Sequence, residues 1–330
     1  MTVETTSEQS SQCLKQVSAK YRGRFAPSPS GALHFGSLVT ALGSYLQAKS
    51  QQGKWFLRID DIDPPRQDPA AIGLIQSSLA AHGLYWDGDV HFQSQQFDAY
   101  NTTISQLKAA GQSYYCQCTR KQIQTTGGIY PGTCRHANLT SEQEGTSYSH
   151  GQYSLRFLNP THTQVSFKDE VMGQVSFPTE VSGEDFIIKR KDGLFAYHFA
   201  SVVDDINMQI TEVVRGADLL FPSACQLALF NVLGSRAPAL MHLPVAVFSP
   251  GYKLSKQGRA QPLDDTQVSR NLYLALAFLG LPVHAALMHD TALNILDWGI
   301  QNWQVANIYN KAEREMTGFL SEQKIDDFIF

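Results

Sequence analysis

Residues 21–50 read YRGRFAPSPSGALHFGSLVTALGSYLQAKS, and the order of signals in this stretch decides the fold. The run over 21–27 predicts a short strand that ends where proline removes a ladder donor. SPSGALHFGS follows as a turn rich in Ser, Pro and Gly. Leu38, Ala41, Leu42, Tyr45 and Leu46 then recur at the spacing of one helix face. Working outward, KWFLRIDDID over 54–63 predicts a second strand that the PP pair stops. A helix is expected over 70–82, a short strand at HFQS (91–94), and a third helix over 98–110. Strands alternating with helices of this length predict an α/β protein with a Rossmann-like parallel sheet covered on both faces.

The alternation breaks near Ser113. Residues 113–183 hold GG and PG turns, three cysteines and period-two stretches such as QYSLRFL and QVSFKDEV, the pattern of an α+β insertion. EDFIIKR is read as the return of the alternation, followed by a helix over 197–204, the strand QITEVVRG, the helix FPSACQLALFNVLG, and LPVAVFS leading into GYKLSKQGR. The expected division is a polar tail over 1–20, the first half of a catalytic domain over 21–112, the insertion over 113–183, the second half over 184–262, and a short helical C-terminal region over 263–330. There is no internal repeat and no linker long enough to let the parts float.

Composition narrows the class. With 43% hydrophobic and 17% charged residues the chain is an ordinary globular protein. Its formal net charge of -4 excludes a broad basic coat for nucleic acid but leaves room for a local basic groove. No apolar run approaches the ~20 residues of a membrane span, and the polar start MTVETTSEQSSQCLKQ lacks a signal-peptide core. Five cysteines in 330 residues make no disulfide scaffold. A cytoplasmic protein with reduced thiols, acting as a monomer, is expected.

Two separated segments carry the chemistry. The turn over 27–37 lies at the carboxyl end of the first strand, where ligands bind in open α/β sheets. Pro27, Gly31 and Gly36 shape it, the helix it opens aims free N–H groups at a phosphate, and His34 and Ser37 can bond phosphoryl or ribose oxygens. The second segment is Lys253-Leu254-Ser255-Lys256-Gln257, two lysines able to close on a polyphosphate. Taken singly, these are a tight turn with a surface histidine and a solvated charge cluster.

Together they are specific. HFGS and KLSKQ resemble the two signature motifs of the class I aminoacyl-tRNA synthetases. RFAPSPSGALHFGS and LRIDDIDPPR are similar to the form these take in the glutamyl/glutaminyl branch, over residues 22–259. The resemblance implies ATP-dependent amino-acid activation, with His34, Lys253 and Lys256 as catalytic residues. Mg²⁺ should accompany ATP, although no dedicated cage for it is visible. It also implies a glutamate site made by Arg24, Phe25, Ala26, Pro27, Ser28, Asp60, Tyr197 and Arg215. A glutamate zwitterion needs two cations and one anion, and Arg24, Arg215 and Asp60 supply that set. Asp60 stands where the family usually has the longer Glu, and Ser37 where it often has His.

Cys116, Cys118 and Cys134 form an incomplete zinc pattern, since a structural zinc takes four ligands. Tyr130 in YPGTC and His136 in TCRH are the local candidates, and chemistry alone favours the imidazole. The C-x-C…Y-x3-C arrangement of the glutamyl-Q tRNA(Asp) synthetase family, which the chain also resembles, implies Tyr130. Only 73 residues follow Gln257, too few for an anticodon-binding region. That again resembles this short, zinc-bearing family, which transfers glutamate to the queuosine base in the anticodon loop of tRNA(Asp). RNA loops with splayed bases suit recognition of this kind, and Arg22, Lys189, Arg190, Lys191 and Arg259 are available as basic contacts. The alternatives are a truncated glutamyl-tRNA synthetase charging the tRNA 3′ end, a catalytically silent synthetase-like RNA-binding protein, and a small-molecule nucleotidyltransferase of the same superfold.

Overall fold

The computed structural model describes residues 20–137, 139, 153–160, 165–254 and 260–323. The tail expected over 1–20 lies outside them save Lys20, as does Lys256. The first half runs β1 (Arg22–Phe25), α1 (Phe35–Ser50), β2 (Lys54–Ile59), α2 (Ala71–Ala81), β3 (His91–Phe92) and α3 (Phe97–Ala109). β1, β2 and β3 are parallel, with Arg24 opposite Phe56 and Ile59 opposite Phe92. β2 stops at Ile59, before the prolines, because the Asp60 N–H turns to the Pro27 carbonyl.

β4 (Ser113–Cys116), α4 (Arg120–Gln124), β5 (Ser154–Phe157), β6 (Val165–Asp169), β7 (Gly173–Phe177), α5 (Thr179–Ser182) and β8 (Ile187–Lys189) follow. Two pairings here differ from the sequence reading. EDFIIKR does not resume the parallel sheet: β8 joins β4 and β5 in an antiparallel sheet. The QVSFKDEV stretch, read as part of the insertion, puts β6 beside a later strand of the main sheet. Strand period alone does not say which edge a strand will pair with, since both partners satisfy the same hydrogen-bond pattern.

The second half contains α6 (Tyr197–Asn207), β9 (Glu212–Gly216), α7 (Leu220–Val232), β10 (Ala239–Leu243), β11 (Val245–Ser249) and β12 (Tyr252–Lys253). β9 and β10 are parallel, and β10 also pairs with β6 in parallel at Leu240 and Asp169. The Thr211 N–H donates to the Arg22 carbonyl at 2.9 Å, which sets the start of β9 beside β1. Both halves therefore bring their carboxyl ends to one edge of a Rossmann-like arrangement.

α8 (Val268–Leu279), α9 (Ala292–Gln301), β13 (Glu313–Glu315) and α10 (Met316–Gln323) close the described chain. α8 is buried from Asn271 through Leu279, far more than a mixed surface helix would be. It packs with α1, itself buried on most sides, through Leu42, Leu46, Leu272 and Leu276 in one core cluster. Phe35 and Phe278 meet edge to face at 5.7 Å. The helix that opens at the Ser/Pro/Gly turn is thus held in apolar packing along most of its length, which fixes where its first turn points.

Candidate active site

A cavity of about 350 Å³ opens at the carboxyl ends of β1 and β9. Of the residues the sequence singles out, Arg24, Phe25, Ala26, Pro27, Ser28, His34, Gly36, Ser37, Tyr197, Arg215 and Lys253 all line it. The turn and the lysine-bearing strand, more than 200 residues apart in sequence, share this one space. Asp60 does not line it. It borders an adjoining pocket with Ser28, Pro29, Ser30, Asp63, Arg66 and Gln67.

The turn is built for close approach. Gly31 has φ 138°, in the region that favours glycine. His34 is the N-cap of α1: its extended backbone lets the ring fold back, and Nδ1 accepts from the Ser37 N–H at 3.3 Å. With Nδ1 accepting, the proton of a neutral ring sits on Nε2, the donor a phosphate needs. A Cβ on Gly36 would lie 3.2 Å from His34 Cε1 and 3.3 Å from Nδ1, so any larger residue there would push the ring by a few tenths of an ångström. Across the cavity Lys253 pairs with Asp218, which also lines it.

The two arginines of the cavity are held in opposite ways. Arg24 gives Nε and Nη2 to the Asp205 carboxylate at 2.9 and 3.3 Å. Arg58, wholly buried on β2, gives Nη1 to the same carboxylate at 2.8 Å and Nε to Asp60 at 2.6 Å. Burial pushes the Asp205 acid up, but the Arg24 and Arg58 charges outweigh it and hold it below the usual carboxylate range. At Asp60 burial wins over Arg58 and the acid is raised. Asp60, expected to meet a substrate ammonium, is thus already engaged by a guanidinium.

Arg215 on β9 is 4% exposed. Nε donates to His242 Nε2 at 3.2 Å, Nη2 to Ser223 Oγ at 2.7 Å and Gln226 Oε1 at 2.8 Å, and Nη1 to Tyr197 Oη at 3.5 Å. None of these partners is a carboxylate, and burial lowers its affinity for the proton. Sequence reasoning missed Arg58, Asp205, Ser223, Gln226 and His242. A signal was available for the first two: an arginine inside the apolar strand KWFLRI and an Asp pair in the apolar helix SVVDDI. Charges in such places must find one another.

The thiols of Cys116, Cys118 and Cys134 lie within 4.8 Å of one another, the one metal-capable group of His, Cys and acidic residues among the described residues. Cys118 and Cys134 Sγ are 3.6 Å apart, close to the ~3.8 Å between two sulfurs bound tetrahedrally to zinc. Tyr130 Oη is 3.5 Å from Cys116 Sγ and accepts from the Cys134 N–H at 2.8 Å. His136 is exposed and outside this group. Burial pushes the Cys116 thiol up, but the Tyr130 hydroxyl and the Arg156 charge outweigh it and leave it below the ordinary value. Arg156 stacks on the Tyr130 ring at 3.6 Å. This group of thiols, two buried and Cys118 partly exposed, fits a divalent metal such as zinc.

Residues 20–291 match the family described as tRNA synthetases class I (E and Q), catalytic domain. The chain is 48% identical over 297 residues to a Glutamyl-Q tRNA(Asp) synthetase of Photobacterium profundum, covering 90% of this chain and 93% of that one. It is 48% identical over 293 residues to the protein of that name from Shewanella amazonensis, covering 89% and 96%. Among solved structures, a glutamate tRNA ligase from Elizabethkingia meningosepticum in complex with its amino acid superposes with a TM-score of 0.74. That match has 23% identity over 94% of this chain and 74% of that one, a likeness of fold. With motif, fold and sequence in agreement over nine-tenths of its length, the chain belongs to the glutamyl-Q tRNA(Asp) synthetase family of class I synthetases.

Proposed function

We propose that this ligase activates L-glutamate with ATP, without tRNA, and transfers it to the queuosine base in the anticodon loop of tRNA(Asp). The observation that carries the glutamate assignment is Arg215. A buried guanidinium has five N–H donors. Here Nε and both Nη2 hydrogens are taken by neutral groups, and Nη1 faces Tyr197 and the cavity. An anionic side chain entering the cavity meets a guanidinium that no described carboxylate contacts directly, Asp205 acting on it only through space, and the fork geometry favours a carboxylate over an amide.

Activation forms a bond between a glutamate carboxylate oxygen and the α-phosphorus of ATP. The bond to the bridging oxygen breaks and pyrophosphate leaves. His34 Nε2–H and the first N–H groups of α1 bind the phosphate chain, and Lys253 with Lys256 draws off charge as pyrophosphate departs. Mg²⁺ enters with ATP. In the second step a hydroxyl of the cyclopentenediol attacks the mixed-anhydride carbonyl, the ester bond forms, the carbonyl–phosphate bond breaks, and AMP leaves with its electron pair and takes up the hydroxyl proton on a phosphate oxygen. Asp60 is the carboxylate assigned to the substrate ammonium from the adjoining pocket. Cys116, Cys118, Tyr130 and Cys134 would hold a structural Zn²⁺, supplying a crosslink that braces β4 against the following turn.

Glutamate-dependent ATP–pyrophosphate exchange without tRNA tests the first step, and transfer to tRNA(Asp) with and without queuosine tests the second. Exchange is expected in the wild type and is lost in Lys256→Ala. Label on the 3′ end of unmodified tRNA sinks the queuosine assignment. One zinc per chain, lost in Cys116→Ala, is the expected elemental analysis.

A further inference from the structure

His242 and Asp169 belong to neither signature motif and touch neither wall of the cavity, yet they end on Arg215. His242 lies on β10 directly opposite Arg215 on β9, and both His242 and Asp169 are fully buried. His242 Nδ1 is 2.6 Å from Asp169 Oδ2. The other Asp169 oxygen accepts from the N–H groups of Val171, Met172 and His242 at 3.0, 2.9 and 3.2 Å. Four contacts hold that carboxylate at the end of β6, and the parallel pairing of β6 with β10 brings it there.

A carboxylate bonded in this way only accepts, so Nδ1 must carry a proton. The Arg215 Nε–H donates to Nε2, so Nε2 must present its lone pair. One state of the ring satisfies both demands, the neutral Nδ1–H tautomer. The arrangement gives the guanidinium a rigid acceptor that carries no charge. An acid at position 242 would pair with Arg215 as Asp205 does with Arg24 and consume the charge facing the cavity.

We infer that Asp169 and His242 are positioning residues for substrate selection: Asp169 sets the imidazole tautomer, and the imidazole fixes the plane of Arg215 while leaving its charge for the substrate's side-chain carboxylate. This rests on the reading that Arg215 receives glutamate. The relay reaches Arg215 directly through Nε and again through Ser223 Oγ, which lies 3.0 Å from His242 Nε2 and accepts from Arg215 Nη2; both routes end on Arg215, so it acts on glutamate binding and not on ATP.

The test is ATP–pyrophosphate exchange by the full chain, with glutamate and ATP varied separately, in wild type, His242→Leu, His242→Gln and Asp169→Asn. Loss of a hydrogen bond to a buried charged group corresponds to about a 10–100-fold rise in KM for glutamate in His242→Leu, with KM for ATP unmoved. His242→Gln offers Oε1 to Arg215 Nε–H and is expected to recover most of that rise. Asp169→Asn turns an amide N–H toward Nδ1, drives the ring proton to Nε2 against Arg215, and raises KM for glutamate as His242→Leu does. Equal effects on both substrates, no rescue by glutamine, or an unchanged KM for glutamate in Asp169→Asn each overturn the inference. Should His242→Leu fail to fold, as a thermal melt shows, the contrast between His242→Gln and Asp169→Asn decides it alone. A wild type without glutamate-dependent exchange overturns the underlying reading, and the inference with it. Exchange with flat variant KM values overturns the inference only.

Discussion

The β1 side and the β9 side of the cavity each present a buried arginine, and they teach opposite lessons about charge. On the β1 side Arg24 shares Asp205 with Arg58, and Arg58 also grips Asp60. That side is a closed ionic lattice, stiff because each charge is answered within the protein. On the β9 side Arg215 is surrounded by an imidazole, a hydroxyl, an amide and a phenol. Dipoles orient a cation without pairing with it, so under the proposed function the β9 side is the receptor for the substrate carboxylate and the β1 side its stiff support. Breaking a buried pair leaves an orphan charge and harms the fold, whereas removing a cation held by dipoles leaves groups that can re-pair with one another.

This contrast can be broken by substitution. The largest effect is expected for Arg215→Met: kcat/KM for glutamate falls by about 10³-fold or more, with the thermal melt little changed. A variant that unfolds while residual protein keeps its glutamate affinity would invert the comparison. Next comes Asp205→Asn, which strips Arg24 and Arg58 of a shared partner and is expected to cost about 3–5 kcal/mol in urea unfolding. If stability held and only glutamate KM rose, the β1 side would be receptor and not scaffold.

Gly36→Ala addresses the phosphate side of the same cavity. The added methyl presses on the His34 ring and moves it by a few tenths of an ångström, and a rise of up to about tenfold in KM for ATP with glutamate KM unchanged is expected, the cost of one weakened hydrogen bond. The smallest effect reports the Arg215 charge itself. His198, whose ring packs on Tyr197 at 5.6 Å, has its pKa pushed down to about 4 by burial and then by Arg215. An NMR titration should find this ring neutral through neutral pH, and Arg215→Met should move its midpoint part of the way toward 6.5. Because the unfolded ring binds a proton near 6.5 and the folded ring does not, this group costs stability as pH falls from 6.5 through about 4. A midpoint unmoved by Arg215→Met would mean that the charge is screened after all.

Much of the fold was legible because its signals are local. The strand, turn and helix of 21–50 need only side-chain period, proline and glycine, and those survive in β1 and α1. The cysteine spacing likewise predicted the grouping of three thiols. EDFIIKR was misread because a strand's period is blind to its partner. Asp60 shows what the sequence leaves unread at the site: Arg58, two residues earlier at the end of β2, holds its carboxylate, and it borders the adjoining pocket and not the main cavity.

The amino-acid order alone determined the βα alternation of the first half, the two signature segments and the family resemblance they carry, since each signal is written in short runs of sequence. Tertiary structure alone decided which arginine is ion-paired with a carboxylate and which is held by neutral groups. Asp205 reaches Arg24 from 181 residues away, and Asp169 reaches His242 from 73. Charge balance in a buried site depends on which groups come within about 4 Å of one another, and contacts at that range are set by how sheets and helices pack, not by neighbours along the chain.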